Sequence, residues 1–350
     1  MMSIHAINCF TARWDATNQH LQAPVRTTLS KVVHVAWDAF CILTVIPALV
    51  RYTTEWIVNH SILPAQLVSQ EQVAKIRKQF HTFWNGPAAP PSFTVERATV
   101  TTPDGVKLSA VWVKHKDATQ DTPTVIHFNG NASPGLHRPL PWYIAEADRQ
   151  DVICNFALFD YRGVGDSTGA FQRMEDLLID GSSIVQWVRE GLGTPADKIH
   201  FDGFSLGGAV ATATQALDPN HLTGRNVNHC SFSSLDRVVR SLFGGTLGKI
   251  IAFIVRWQGY SLDVAAAWRR LQGDRLVVYH PEDRVIPMAA SLQEAVRHTK
   301  DLCLKTILGM EAKSRRYLHH GAPFECYLRA REQMGQFLLG LSPVLQEQLA

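Results

Sequence analysis

The 350-residue chain lacks several things, and each absence closes off a class of function. It has no excess of one charge: 34 Lys and Arg stand against 31 Asp and Glu, a formal net charge of +3. No long Lys/Arg block breaks that balance. The pairs Arg269-Arg270 and Arg315-Arg316 read as solvated faces, so nucleic acid is not an expected partner. Cysteine is sparse: Cys9, Cys41, Cys154, Cys230, Cys303 and Cys326 are scattered and never form Cys-x-x-Cys. Neither a disulfide framework nor a zinc site is indicated, and a reducing compartment fits best. No Gly-x-Gly-x-x-Gly opens a helix, which removes the dinucleotide reading. The first thirty residues carry no apolar core of the signal-peptide kind. The apolar run at residues 39–50 is interrupted by Thr44 and Pro47 and is too short to span a bilayer. These absences place the chain in the cytoplasm or at a membrane periphery, with a non-classical secretion route left open. Internal repeats and low-complexity tracts are also missing. At 46% hydrophobic and 19% charged residues, what remains is a folded globular protein with a sizeable core.

What is present is organised around Asp202-Gly203-Phe204-Ser205-Leu206-Gly207-Gly208. A short strand pattern, Lys198-Ile199-His200-Phe201, precedes it, and small residues of good helix propensity follow from Ala209 to Ala216. Strand, sharp turn and helix bring backbone close to backbone, so glycine is needed two places either side of the serine. The serine is pushed out at the apex, and the N–H of Leu206 at the helix start can face a developing oxyanion. The plainer alternative is a turn whose serine caps the helix.

Around this centre the pattern alternates. Residues 93–100 and 106–113 flank Pro103-Asp104-Gly105 and read as a hairpin. Residues 124–128, 152–159, 226–232 and 275–279 read as buried strands, and residues 141–149, 174–190 and 325–339 as helices. Apolar strands separated by helices predict an α/β fold, a mostly parallel sheet covered on both faces. Upstream, Val73, Ile76, Phe80 and Phe83 give residues 71–84 one apolar helical face. The proline-rich connector Gly86 to Pro91 marks a boundary between a helical N-terminal extension, 1–86, and a main domain, 87–350. That extension either packs on the main domain or lies in a membrane interface, giving peripheral membrane contact. Residues 236–273 exceed an ordinary crossover, and their apolar stretch from Ile250 to Val255 either roofs the site or forms a plain amphipathic crossover.

A serine hydroxyl needs a base, and the base needs a carboxylate to orient it. His280-Pro281-Glu282-Asp283-Arg284-Val285-Ile286-Pro287 follows a strand, at the end where open parallel sheets bind ligands, and offers Asp283 as the acid. Leu318-His319-His320-Gly321 offers the base. His320 is favoured because Gly321 leaves its ring room, with His319 as the alternative. His127, His200, His280 and His298 read as structural. The loop Asn129-Gly130-Asn131-Ala132 after a strand can turn the N–H of Asn131 inward as a second oxyanion donor. In Asp160-Tyr161-Arg162-Gly163-Val164-Gly165-Asp166-Ser167, Asp160 and Arg162 read as an ion pair pinning a tight turn.

These blocks, in this order, resemble the α/β-hydrolase superfamily, and within it serine hydrolases of the Bem46 type and related acyl-protein thioesterases and lysophospholipases. The blocks are Asn129-Gly130-Asn131-Ala132, Tyr161-Arg162-Gly163-Val164-Gly165-Asp166-Ser167, Gly203-Phe204-Ser205-Leu206-Gly207-Gly208 and Asp283-Arg284-Val285-Ile286-Pro287. One departure stands out: Asn129 replaces the family's histidine, a loop-supporting position. A fainter likeness, in the helical N-terminus and the Asn-Gly-Asn loop, is to hydrolase-like proteins of the chlamydial type. The resemblance implies Ser205 as nucleophile, Asp283 as acid, His320 as base, and Asn131 with Leu206 as oxyanion donors, with Asn129, Gly130, Asp160 and Arg162 supporting the loops. It implies hydrolysis of an ester or thioester with no metal or organic cofactor, and a small acyl ester, a lipid or an acylated protein as substrate. A serine peptidase and a non-catalytic interaction protein are the alternatives. Oligomeric state is not readable from these residues.

Overall fold

The computed structural model describes residues 59–132, 134, 142–220, 222–280, 282–297, 320 and 328–340. The apolar run at 39–50, Cys9, Cys41, Cys303, Cys326, His298 and His319 lie outside the described residues.

Seven strands form one sheet in the order β1-β2-β4-β3-β5-β6-β7. They are β1 (Phe93–Thr101), β2 (Lys107–His115), β3 (Thr124–Phe128), β4 (Asn155–Phe159), β5 (Ile199–Phe204), β6 (Asn226–His229) and β7 (Arg275–Val278). The hairpin β1–β2 is antiparallel, with Phe93 opposite His115 and Thr101 opposite Lys107. Gly105, at φ +84°, makes its turn. β2 also runs antiparallel to β4, and from β4 to β7 every pairing is parallel. All parallel strands therefore end on one edge, where the loops that follow them collect.

Side-chain alternation splits the core into two layers. Ile126, Phe128, Ala157, Phe159, Phe201 and Val277 face one side, while Val125, Phe156, Leu158, Val227, Leu276 and Val278 face the other. The first layer is covered by α3 (Met174–Gln186), α4 (Leu206–Leu217), α7 (Val264–Arg270) and α8 (Leu292–Val296), through residues such as Leu177, Val210, Val264 and Leu292. The second is covered by α1 (Gln70–Trp84), α2 (Trp142–Arg149) and α9 (Leu328–Leu339), through Phe80, Tyr143, Ile144, Met334 and Phe337. Between β6 and α7 rise two further helices, α5 (Leu235–Phe243) and α6 (Gly245–Trp257).

The helix α1 begins with a capping box: Ser69 accepts from the N–H of Gln72, whose side chain reaches back to Ser69. Val73 and Phe80 are buried and Ile76 and Phe83 half-buried, the face expected from their spacing. Upstream of it, Leu63 and Ala65 are buried in the same layer as Phe128. This part of the extension thus shares the core of the main domain. The helix expected over 174–190 is α-helical only to Gln186 and continues as one π-turn, Trp187–Gly191. Gly191 permits that turn, because a β-carbon there would meet the Trp187 ring at 2.9 Å. Cys154 and Cys230 are free and buried, and burial pushes both thiols up, with Asp283 adding to the effect at Cys230. Among the described residues, no helix is long and apolar enough to cross a membrane.

Candidate active site

The apex serine is in a conformation that L-residues avoid. Ser205 has φ 55° and ψ −119°, which costs about 1–3 kcal/mol and persists only where surrounding structure enforces it. The enforcement is visible. Its N–H donates to the carbonyl of His229 at 2.8 Å, and its own carbonyl accepts from Gly208 and Ala209 at 3.1 and 3.3 Å. A β-carbon on Gly203 would lie 2.5 Å from the carbonyl oxygen of Gly207, and one on Gly207 would lie 2.0 Å from that of Phe128. These contacts are backbone against backbone, so no side-chain adjustment relieves them.

His320 lies between Ser205 and Asp283. Its Nε2 is 2.8 Å from Ser205 Oγ and its Nδ1 is 2.7 Å from Asp283 Oδ2. The three side chains come from positions 37 and 115 residues apart in the chain. The other oxygen of Asp283 accepts the N–H groups of Val285 and Ile286, both at 2.8 Å. Two backbone donors fix the orientation of the carboxylate. Phe204 packs its ring 5.1 Å from that of His320 and 5.1 Å from that of His229, limiting how far the imidazole can tilt. His229 is buried, and burial, then His320 and His127, hold its pKa down at about 3, so it stays neutral beside His320.

The two oxyanion candidates lie in the segments that follow β5 and β3. The N–H of Leu206 opens α4, where no preceding helical turn accepts it. Asn131 follows Gly130, whose position needs glycine because a β-carbon would meet the Phe204 ring at 2.9 Å. The carbonyl of Asn131 accepts the N–H of Ala65 at 3.0 Å, so the loop is braced from the N-terminal extension. Asn129, at the start of this loop, is buried. Gln66 braces a second loop, its Oε1 accepting from the N–H of Phe171 at 3.1 Å. These contacts had no sequence signal, because they join residues 63–66 to loops far along the chain.

One expectation needs correcting. Arg162 is buried, but its ion pairs run to Asp180 at 2.8 Å, Asp104 at 2.8 Å and Asp176 at 3.6 Å, not to Asp160. The sequence suggested the neighbour two residues away, yet α3 brings two acids and the β1–β2 turn a third onto the guanidinium. Asp160 takes a different place in the loop. Its carbonyl accepts from Ser167 Oγ at 2.8 Å, and a β-carbon on Gly165 would lie 2.3 Å from its carboxylate. Of the histidines read as structural, His127 bonds Asp202 at 2.7 Å, His200 accepts the N–H of Arg225 at 3.0 Å, and His280 accepts that of Glu282 at 3.0 Å. Among the described residues no cluster of His, Cys, Asp and Glu could hold a metal ion.

A mixed seven-stranded sheet, helices on both faces and a nucleophile-type turn after β5 define the α/β-hydrolase fold, here with a helical N-terminal extension. No family model matches the chain. It is distantly related to protein bem46 of Schizosaccharomyces pombe, with 29% identity over 154 residues, 43% of this chain and 50% of that protein. It spans between 50% and 65% of the length of the curated relatives it matches. Among solved structures, an esterase of Pyrococcus furiosus superimposes with a TM-score of 0.52 at 19% identity, over 71% of this chain and 90% of that one. Prolyl oligopeptidase B from Galerina marginata gives a TM-score of 0.53 at 16% identity, over 73% of this chain and 37% of that one. At such identities the likeness concerns the fold.

Proposed function

We propose that the protein is a serine hydrolase that cleaves a carboxylic ester or thioester through an acyl-enzyme. The observation that carries this reading is the relay from Asp283 Oδ2 through His320 to Ser205 Oγ, at 2.7 and 2.8 Å. His320 Nε2 takes the hydroxyl proton as Ser205 Oγ attacks the substrate carbonyl. The negative charge that develops on the carbonyl oxygen sits against the N–H groups of Leu206 and Asn131. His320 then gives its proton to the leaving alkoxide or thiolate, and the carbonyl bond re-forms as the acyl group stays on Ser205. A water, deprotonated by His320, attacks that acyl group and releases the acid and the free serine. Asp283 stays ionised throughout and holds the imidazole tautomer. Asn129 and Gly130 shape the first oxyanion loop, while Asp160 and Arg162 hold the turn beside it.

The apolar character of α6 favours an acyl or lipid-like substrate over a small polar ester. A peptidase shares the fold but no feature of this site favours a peptide. The test is turnover of p-nitrophenyl esters of increasing chain length. Wild-type protein should hydrolyse them and prefer longer chains, and S205A should not turn them over. Equal turnover by S205A would place the chemistry elsewhere.

A further inference from the structure

The helices α5 and α6 form a hairpin. Asp236, near the start of α5, bonds Arg256, near the end of α6, and Ser261, so the two helices fold back on each other and are tied at their base. Gly248 lets them approach at the tip, since a β-carbon there would meet the Arg240 carbonyl at 2.9 Å. Its root lies on the edge of the sheet that carries Ser205. Ser233 donates its N–H to Ala290, just beyond the Asp283 loop, at 2.8 Å.

From that root the tip stands out into solvent. Leu242, Phe243, Leu247, Ile250 and Phe253 are exposed, Phe253 at 67% and Leu247 at 58%. Among the described residues, only Leu67, Ile153 and Val285 are other large hydrophobics exposed to this degree. Clustered apolar exposure of this kind marks an interaction surface. The polar residues beside it carry one sign. Between positions 237 and 262 there is no Asp or Glu, while Arg237, Arg240 and Lys249 are cations; Arg256 is taken up by Asp236 at the base. On α6, Lys249 and Phe253 stand at i and i+4, so cation and aromatic share one stripe.

We propose that the tip of the α5–α6 hairpin docks on an anionic lipid bilayer. Large apolar side chains flanked by cations, without acids, match an interface whose acyl region takes the hydrocarbon and whose headgroups take the charge. A second copy of the chain fits worse, because a symmetric contact through this tip sets the same cations against each other. Docking here presents the Ser205 edge of the sheet to the membrane. The inference does not use the catalytic reading, and a protein with no esterase activity would still dock.

The test is co-sedimentation of the full chain with phosphatidylcholine vesicles, with and without phosphatidylserine at about a quarter of the lipid. Wild-type and S205A proteins should both bind the anionic vesicles, and binding should weaken as salt is raised. The double variants L247S/F253S and R240E/K249E should each bind at least about tenfold more weakly, with unchanged melting temperatures. The proposal is overturned if either double variant binds like the wild type, if neutral vesicles bind equally well, or if the wild type binds none. It is equally overturned if the wild type self-associates and L247S/F253S abolishes that association while lipid binding is unaffected.

Discussion

The elbow at Ser205 and the hairpin of α5 and α6 are both apolar, both turned by glycines, and fewer than forty residues apart, yet their glycines answer to different physics. At the elbow Gly203 and Gly207 are held by packing: a β-carbon would lie 2.5 and 2.0 Å from backbone oxygens. At the hairpin Gly244 and Gly245 have open space around them and are needed for torsion alone, at φ +62° and +46°. The elbow spends its glycines on bringing a strained serine against two loops inside the core. The hairpin uses them to reverse direction in solvent. The elbow is therefore intolerant of any side chain at these positions and the 244–245 turn is tolerant at modest cost, whereas Gly248 on α6 is again held by packing, against the Arg240 carbonyl.

The largest expected effect lies in the proposed relay. D283N and H320A should each lower kcat by about 10⁴ while far-ultraviolet circular dichroism stays native. H319A should lose far less. Retained activity in H320A, with H319A inactive, would reverse the choice of base. Next comes the glycine contrast. G207A should destabilise by more than about 4 kcal/mol or prevent folding, because its β-carbon overlaps the Phe128 carbonyl. G245A should cost only about 1–2 kcal/mol, the ordinary penalty of a left-handed residue. Chemical denaturation of both variants checks the pair, and equal losses would erase the distinction.

Away from both regions, R162M should destabilise by about 3–5 kcal/mol, since it leaves the buried Asp180 and its neighbours without their cation. A loss under about 1 kcal/mol would mean that the cluster is solvated. A smaller effect concerns pH. Burial, then Arg225 and Lys198, hold the pKa of His200 down at about 3. In the unfolded chain it is about 6.5. Below that value the unfolded chain takes up a proton that the fold refuses, so stability falls as pH drops from about 6.5 towards 3. By pH 5 this one residue should cost about 2 kcal/mol. H200N should flatten the loss between pH 7 and pH 5 by that amount, read from denaturant midpoints, and an unchanged slope would show that His200 is not held neutral.

Much of this architecture could be read along the chain because its causes are local. The elbow is a run of seven residues whose glycines and serine constrain one another. The Asp283 loop is equally local, its carboxylate accepting N–H groups two and three residues on. Strand and helix periods carried the two-layer sheet. What stayed illegible was decided at long range. Arg162 finds Asp104 58 residues back and Asp180 18 residues on, and no spacing rule points to either. Residues 63–66 looked like part of a separate extension before a proline-rich connector. Packing on the main domain is one of the two arrangements expected of that extension, but no spacing names the partners, the Asn131 and Phe171 loops. Phe204 occupied an unmarked place between glycine and serine, and its role against His320 depends on a ring brought from 116 positions downstream. The apolar stretch from Ile250 to Val255 suggested a roof or a crossover helix, and only three dimensions separate its exposed residues from its buried ones.

The central claim, that strain and packing at the elbow exist to activate Ser205, has one direct measurement. The full chain is incubated with a fluorophosphonate probe, digested and analysed by mass spectrometry. The account predicts a single adduct on Ser205 that forms rapidly in wild-type protein and slowly in H320A and D283N. An unlabelled Ser205, or labelling at the same rate in H320A as in the wild type, would contradict it.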